Sequence, residues 1–190
     1  MNPEQMVSGV KHIARDWKYD VVSIGYPGLV LRGSPATEPH NLARAWVGFD
    51  FKSGFGRPVK IINDAAMQAL GSYKGSGLML FMGLGTGLGS ALVQEGHVVP
   101  MELAHLSYKS GTYEDYVGLR GLRRLGKKKW QSHIAYCVAR LIDAIHPDDV
   151  VLGGGNAKRL EEMPPGCRIG DNAHAFLGGF RLWDLHATAE

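Results

Sequence analysis

Three short apolar runs each end in a polar or glycine cluster, and this pattern constrains the chain more than any other. VKII at 59–62 runs into Asn63-Asp64, LMLFMG at 78–83 runs into Gly85-Thr86-Gly87, and VVL at 150–152 runs into Gly153-Gly154-Gly155. Apolar runs this short, bounded by turn residues, predict strands covered on both faces. A fourth, VVSIG at 21–25, ends in Tyr26-Pro27-Gly28, and ALVQ with HVV around Glu95-Gly96 predicts a β-hairpin. Helical patterns lie between the strands. Residues 3–17 carry Met6, Val10, Ile13 and Trp17 on one stripe, with Asn2 as cap and Pro3 in the first turn. AAMQALGSYK follows Asp64, a candidate N-cap, and 114–145 repeats Trp130, Ile134, Val138 and Ile142 beside Leu141 and Ile145. Asn156 is placed to cap a short helix, and NAHAFLGGFRLW predicts a small-residue helix that packs closely on a sheet. The alternation predicts an α/β fold with parallel strands and with ligands at their C-terminal ends. Residues 29–57 predict a long, irregular and functional loop.

Glycine turns after strands expose backbone N–H groups that together bind anions. Two such turns in one chain point to a phosphorylated ligand gripped from two sides. The familiar nucleotide fingerprints do not fit. GLGTGLG breaks G-x-G-x-x-G at Leu88 and Ser90. GLRRLGKK at 121–128 has P-loop spacing, but Lys128 stands where Ser or Thr would hold magnesium.

The net charge of +3 is too small to argue for nucleic acid. One dense basic stretch, Arg120, Arg123, Arg124, Lys127, Lys128 and Lys129, fits either a solvated helix face or a track for a polyanion. If that stretch is one helix, positions 120, 124 and 127 share a stripe. The two cysteines, Cys137 and Cys167, form no C-x-x-C pair, so a disulfide framework and a cysteine-rich metal site are not expected. The opening MNPEQMVSGVKHIARDWK lacks the continuous apolar run of a signal peptide, and no apolar run reaches membrane-spanning length, so a cytoplasmic protein that contacts neither membrane nor nucleic acid is expected.

A set of motifs in fixed order resembles the repressor/ORF/kinase (ROK) family of sugar kinases, and within it the polyphosphate/ATP glucokinase branch. The set is YPGLV, HNLARAW, VKIINDAAMQALG, MGLGTGLGSALVQEG, MELAHL, YEDYVG, LGKKKW, VVLGGGNAK and NAHAFLGGF, and it spans nearly the whole chain. The resemblance implies a two-lobed, actin-like ATPase (ribonuclease H-like) fold that transfers a phosphoryl group from polyphosphate or ATP, with Mg2+, to the 6-hydroxyl of glucose. It implies Asp64 as the catalytic base, Asn41, Asn63, Asp64, Glu102, His105 and Glu114 as sugar contacts, and Gly85, Thr86 and Gly87 as a phosphate motif. Gly153, Gly154 and Gly155 match the motif that lies beside the nucleotide, and a homodimer is implied.

Two departures from the family pattern bear on these expectations. Ser110 to Glu114 stands where many members carry a cysteine-rich zinc element, so no metal site of that kind is expected. The family's opening D-x-G-G-T phosphate motif has no counterpart, which implies an incomplete N-terminal lobe at 1–63 followed by a C-terminal lobe at 64–190. A sheet lacking those strands would expose an edge. The alternative function is a truncated or degenerate sugar-binding homologue without catalysis.

Overall fold

Asn2 opens the first helix with a reciprocal cap. Its side chain accepts from the Gln5 N–H (2.8 Å), the Gln5 side chain accepts from the Asn2 N–H (3.0 Å), and Pro3 occupies the first turn of α1 (Pro3–Ile13). In this computed structural model residues 1–39 and 42–184 are described, and they fall into two compact units, Met1–Asp64 and Ala65–Glu190.

The first unit continues with β1 (Val22–Tyr26), β2 (Val30–Leu31), β3 (Ser34–Pro35), α2 (Phe51–Phe55) and β4 (Val59–Asn63). β1 and β4 pair in parallel from Val22↔Val59 to Tyr26↔Asn63, as a sheet of two strands. Val7, Tyr26, Trp46, Phe51, Phe55 and Ile61 form its core. The expected stripe on α1 is corrected here. The helix stops at Ile13, and the residues it buries are Pro3 and Val7, while Ile13 and Trp17 are 71% and 69% exposed. The reason is α2, which Val7 meets at Gly54, so the buried face is rotated from the one the apolar spacing marked. The expected long loop is also partly ordered, by the β2–β3 ribbon, α2 and Glu38, whose carboxylate accepts from the N–H groups of Ala45, Trp46 and Val47.

The second unit holds α3 (Asp64–Ser72, whose first residue closes the first unit), β5 (Leu78–Leu84), β6 (Leu88–Gln94), β7 (His97–Met101), β8 (Ser107–Tyr108), β9 (Gly111–Thr112), α4 (Tyr113–Val117), α5 (Leu119–Leu125), α6 (Lys127–Ile145), β10 (Asp149–Gly153), β11 (Cys167–Ile169) and α7 (His174–Arg181). Asp64 is thus the first helical residue of α3 rather than the residue before it. The sheet runs β11-β10-β5-β6-β7. β5, β10 and β11 are parallel and β6–β7 is the expected hairpin, but β5 and β6 are also antiparallel, so the expectation of parallel strands is corrected for that pair. The cause is length. Only Gly85, Thr86 and Gly87 join β5 to β6, and three residues turn a hairpin but cannot make a parallel crossover. The expected hairpin at Glu95-Gly96 forms, with both residues at positive φ (49° and 80°).

Trp130, Ile134, Val138 and Leu141 of α6 bury against Leu80, Met82 and Leu84 of β5, and the Trp130 indole donates to the Val117 carbonyl at 2.7 Å. The glycine-rich helix α7 packs on α3 rather than on the sheet. A Cβ at Gly71 would collide with the His174 carbonyl, and one at Gly178 with the Met67 carbonyl, so the two helix backbones touch through glycine. Arg181 secures the joint by donating to the carbonyls of Leu70 and Tyr73, each at 2.7 Å.

Tyr108 organises the segment between β7 and α4. Its ring meets Tyr113, Tyr116 and His133 edge-on and stacks on Tyr136, and its hydroxyl bonds His133 Nδ1 at 2.9 Å. Lys109 lies over the Tyr108 and Tyr116 rings, and Arg124 over Tyr116 at 4.9 Å. Burial, and then the charges of Lys109 and Arg124, hold the His133 pKa below its ordinary 6.5.

Gly178→Ala should destabilise the protein by roughly 1–3 kcal/mol in urea unfolding, the usual cost of overpacking, because the obstacle is backbone and cannot rotate away. Gly9→Ala, on an open face of α1 with nothing within 4 Å, should be neutral or slightly stabilising. The lowered pKa of His133 sets a pH dependence. The folded state binds fewer protons than the unfolded state, so stability should fall as pH drops from about 7 through 6.5 toward the folded pKa. His133→Gln should flatten that slope in melting curves recorded across the range.

Candidate functional site

The tip of the β5–β6 hairpin is the most completely engaged short segment of the second unit. Its three carbonyls are all turned to partners. Gly85 O accepts from the Asn156 side-chain amide (2.8 Å), Thr86 O from the Leu119 N–H (3.1 Å), and Gly87 O from the Gly85 N–H (3.1 Å). The N–H groups of Thr86 and Gly87 have no hydrogen-bond partner among the described residues, and Thr86 is exposed. Occupied carbonyls beside open N–H groups leave backbone donors available to an anion, with the Glu114 carboxylate lying against Gly87 at the edge of the tip.

Glycine is required where the backbones converge. Gly154 sits at φ +81°, and a Cβ there would lie 2.6 Å from the Leu84 oxygen. A Cβ on Gly118 would lie 3.1 Å from Thr86 O and 2.9 Å from Glu114 O, and one on Gly87 would run into the Glu114 carboxylate. Gly85 to Gly87 and Gly153 to Gly155 are thereby brought side by side, with the Asn156 N–H also donating to Leu84 O at 2.9 Å. The sequence reading made Asn156 a helix cap. It precedes the short 3-10 turn at Ala157–Arg159, but its side chain makes no capping bond there and goes to Gly85 instead.

Glu114 also lies at this tip. α4 starts with a capping box in which Thr112 donates to the Asp115 carboxylate and accepts from the Asp115 N–H, and those bonds from Thr112 hold the Asp115 carboxyl below its ordinary range. Two residues after Thr112, Glu114 Oε2 accepts the Leu88 N–H at 3.1 Å.

Glu102 precedes the 3-10 turn Leu103–His105, and His105 ends it. Both are exposed, with His105 Nε2 3.7 Å from Glu102 Oε2. Ser90, 2% exposed, fixes this turn to the hairpin by donating to Met101 O (2.8 Å) and accepting from Leu103 N (3.2 Å). The sequence reading did not single out Ser90. Its place directly after the glycine turn, in an apolar strand, was the available signal.

In the first unit, Asn63 ends β4 and donates to Gly28 O at 3.1 Å, holding the Tyr26-Pro27-Gly28 turn. Asp64 is exposed. The next residue, Ala65, packs on Gly89 of β6, where a Cβ would come within 2.5 Å of the Ala65 methyl. Asn41 lies outside the described residues.

The basic stretch departs from expectation. Gly126, at φ +75°, ends α5 and precedes α6, so positions 120, 124 and 127 do not share one helical stripe. Several of these cations already have local partners. Arg120 pairs with Asp115 at 3.1 Å, Arg124 donates to Asp115 O at 2.9 Å, and Lys127 pairs with Glu161 at 2.9 Å. Arg123, Lys128 and Lys129 are exposed and make no ion pair among the described residues.

The chain is similar to known proteins. The ROK family model matches residues 3–100. The polyphosphate glucokinase of Mycobacterium tuberculosis (strain CDC 1551 / Oshkosh) is 28% identical over 162 residues, covering 76% of this chain and 59% of the relative. That of Mycobacterium leprae (strain TN) is 25% identical over 158 residues, covering 76% and 48%. This chain therefore spans only 59% and 48% of the length of those two relatives. Among solved structures, the inorganic polyphosphate/ATP-glucomannokinase of Arthrobacter sp. strain KM superposes with a TM-score of 0.75 at 24% identity, over 93% of this chain and 81% of the other. The ROK family glucokinase of Streptomyces griseus, in complex with glucose and AMPPNP, gives 0.72 at 16% identity, over 94% and 87%. The chain belongs to the ROK family, and its fold is the α/β, actin-like ATPase fold of that family's sugar kinases.

Proposed function

We propose that this chain serves a glucokinase-type phosphotransferase, moving a phosphoryl group from polyphosphate or ATP to the 6-hydroxyl of glucose. The observation that carries the reading is the hairpin tip, where three carbonyls are engaged and the Thr86 and Gly87 N–H groups remain open. Its similarity to polyphosphate glucokinases supports the same reaction class. The unit Met1–Asp64 would belong to the N-terminal lobe and the unit from Ala65 onward to the C-terminal lobe.

In this reading the Gly85–Gly87 tip grips the donor's phosphates and stabilises charge that builds up during transfer. Gly153 to Gly155 flank the far part of the donor. Asn41, Asn63, Glu102, His105 and Glu114 hold the sugar hydroxyls. Asp64 takes the proton from the attacking 6-hydroxyl, since a primary alcohol is a poor nucleophile without a base. The tip offers N–H donors and one hydroxyl, Thr86, rather than a set of carboxylates. N–H groups do not ligate a cation, so a Mg2+ ion would come with the donor's phosphates, and the Thr86 hydroxyl would be the tip's own candidate contact to it. When bound, the ion would offset phosphate charge. Arg123, Lys128 and Lys129 are the cations best placed to attract a polyphosphate tail, and a homodimer is part of the same reading.

Asp64→Asn keeps shape and hydrogen bonding, so glucose affinity measured by calorimetry should change little. Turnover should fall by roughly 10²–10⁴-fold, the usual worth of a general base. A variant with full turnover would remove Asp64 from this role. A folded wild-type chain that binds glucose, galactose and fructose equally, or none of them, would remove the sugar site.

A further inference from the structure

We propose that Asn156 is a positioning residue that holds the Gly85–Gly87 tip in its anion-binding shape, so that donor affinity depends on a side chain that touches no donor atom. The inference rests on the reading of that tip as the donor-phosphate site.

A backbone turn binds an anion only if its N–H groups converge and its carbonyls point elsewhere. Gly85 and Gly87 have no side chains to enforce this, and glycine carries the largest backbone freedom of any residue. The tip must therefore be held from outside. One bond closes the tip on itself, Gly85 N–H on Gly87 O, and a second comes from an outside backbone group, Leu119 N–H on Thr86 O. The third is a side chain, Asn156 Nδ2 on Gly85 O at 2.8 Å, from a residue 71 positions away. The Asn156 N–H on Leu84 O (2.9 Å) fixes the same residue to the strand end, and Gly154 lets the backbones approach closely enough for both bonds.

The local alternative is weak on geometry. Asn at this position would ordinarily cap the following turn, yet no side-chain capping bond forms. The residue forgoes the nearby N–H groups in favour of the distant carbonyl. If the amide is lost, Gly85 O becomes free to rotate toward the bound phosphate, where its partial negative charge opposes the ligand.

Two substitutions separate the roles. Serine is as good a cap as asparagine and is neutral, but it is too short to reach Gly85. Both Asn156→Ser and Asn156→Ala should therefore weaken binding of inorganic tripolyphosphate about tenfold in calorimetry, the worth of one hydrogen bond to a charged-ligand loop. Glucose affinity should stay within about twofold, because the sugar contacts keep their own partners. Amide exchange at Gly85 and Leu119, whose N–H groups are bonded to Gly87 O and Thr86 O, should speed up in both variants. Wild-type tripolyphosphate affinity in Asn156→Ala, or its recovery in Asn156→Ser, would overturn the proposal. If the wild-type chain binds no tripolyphosphate, the donor-site reading falls. The exchange rates then still decide on Asn156: unchanged exchange at Gly85 and Leu119 in Asn156→Ala would show that it does not hold the tip.

Discussion

The approach of Gly154 to the backbone of Leu84 is the constraint on which the rest of the second unit's site depends. β5 and β10 are parallel neighbours, so their C-terminal ends arrive at the same edge of the sheet. Any side chain at Gly154 would hold those ends apart, since its Cβ would fall 2.6 Å from the Leu84 oxygen. With glycine there, the β10 turn settles against the β5 turn, and Asn156 comes within reach of Gly85. Gly118 does the same from the other side, letting α4 and α5 bring Glu114 and the Leu119 N–H to the tip. Gly154 and Gly118 thus help convert a flexible hairpin end into a held one. Here their value is close approach, which outweighs the entropy that glycine loses on folding.

Much of the framework was legible in the chain. VKII, LMLFMG and VVL form strands where their apolar character placed them; β5 and β10 are buried almost throughout, whereas β4 fully buries only Ile61. Asn2-Pro3 and Glu95-Gly96 formed their cap and turn because those signals act within a few residues. The errors arose where the outcome turned on a packing partner, a connection length or a backbone angle rather than on residue type. The apolar spacing of Met6, Val10, Ile13 and Trp17 could not reveal that α2 would meet Val7 instead. The glycine tip could be located, but strand direction depended on counting only three residues between β5 and β6. Gly126 was visible as a glycine within a helical pattern, yet its positive φ was not, and that angle divides the basic stretch.

The candidate site was legible unevenly for the same reason. Glycine clusters announce themselves locally, so Gly85 to Gly87 and Gly153 to Gly155 were found from spacing. The residues that support them, Asn156, Ser90 and Tyr108, act across long separations and carry no local signature. Electrostatics refined the basic stretch in the same way. Arg120, Arg124 and Lys127 are partly committed to Asp115, Tyr116 and Glu161, and exposed pairs of this kind contribute little to stability. They nonetheless orient side chains, so fewer cations are left to meet a polyanion than the sequence count suggests.

The most direct test is an amide-resolved NMR titration of the isotope-labelled chain with inorganic tripolyphosphate. If the hairpin tip is the phosphate site, the Thr86 and Gly87 amide signals should shift most, and the effect should weaken steeply as salt is raised, as polyanion contacts do. Shifts confined to Arg120–Lys129, with Thr86 and Gly87 unmoved, would contradict it.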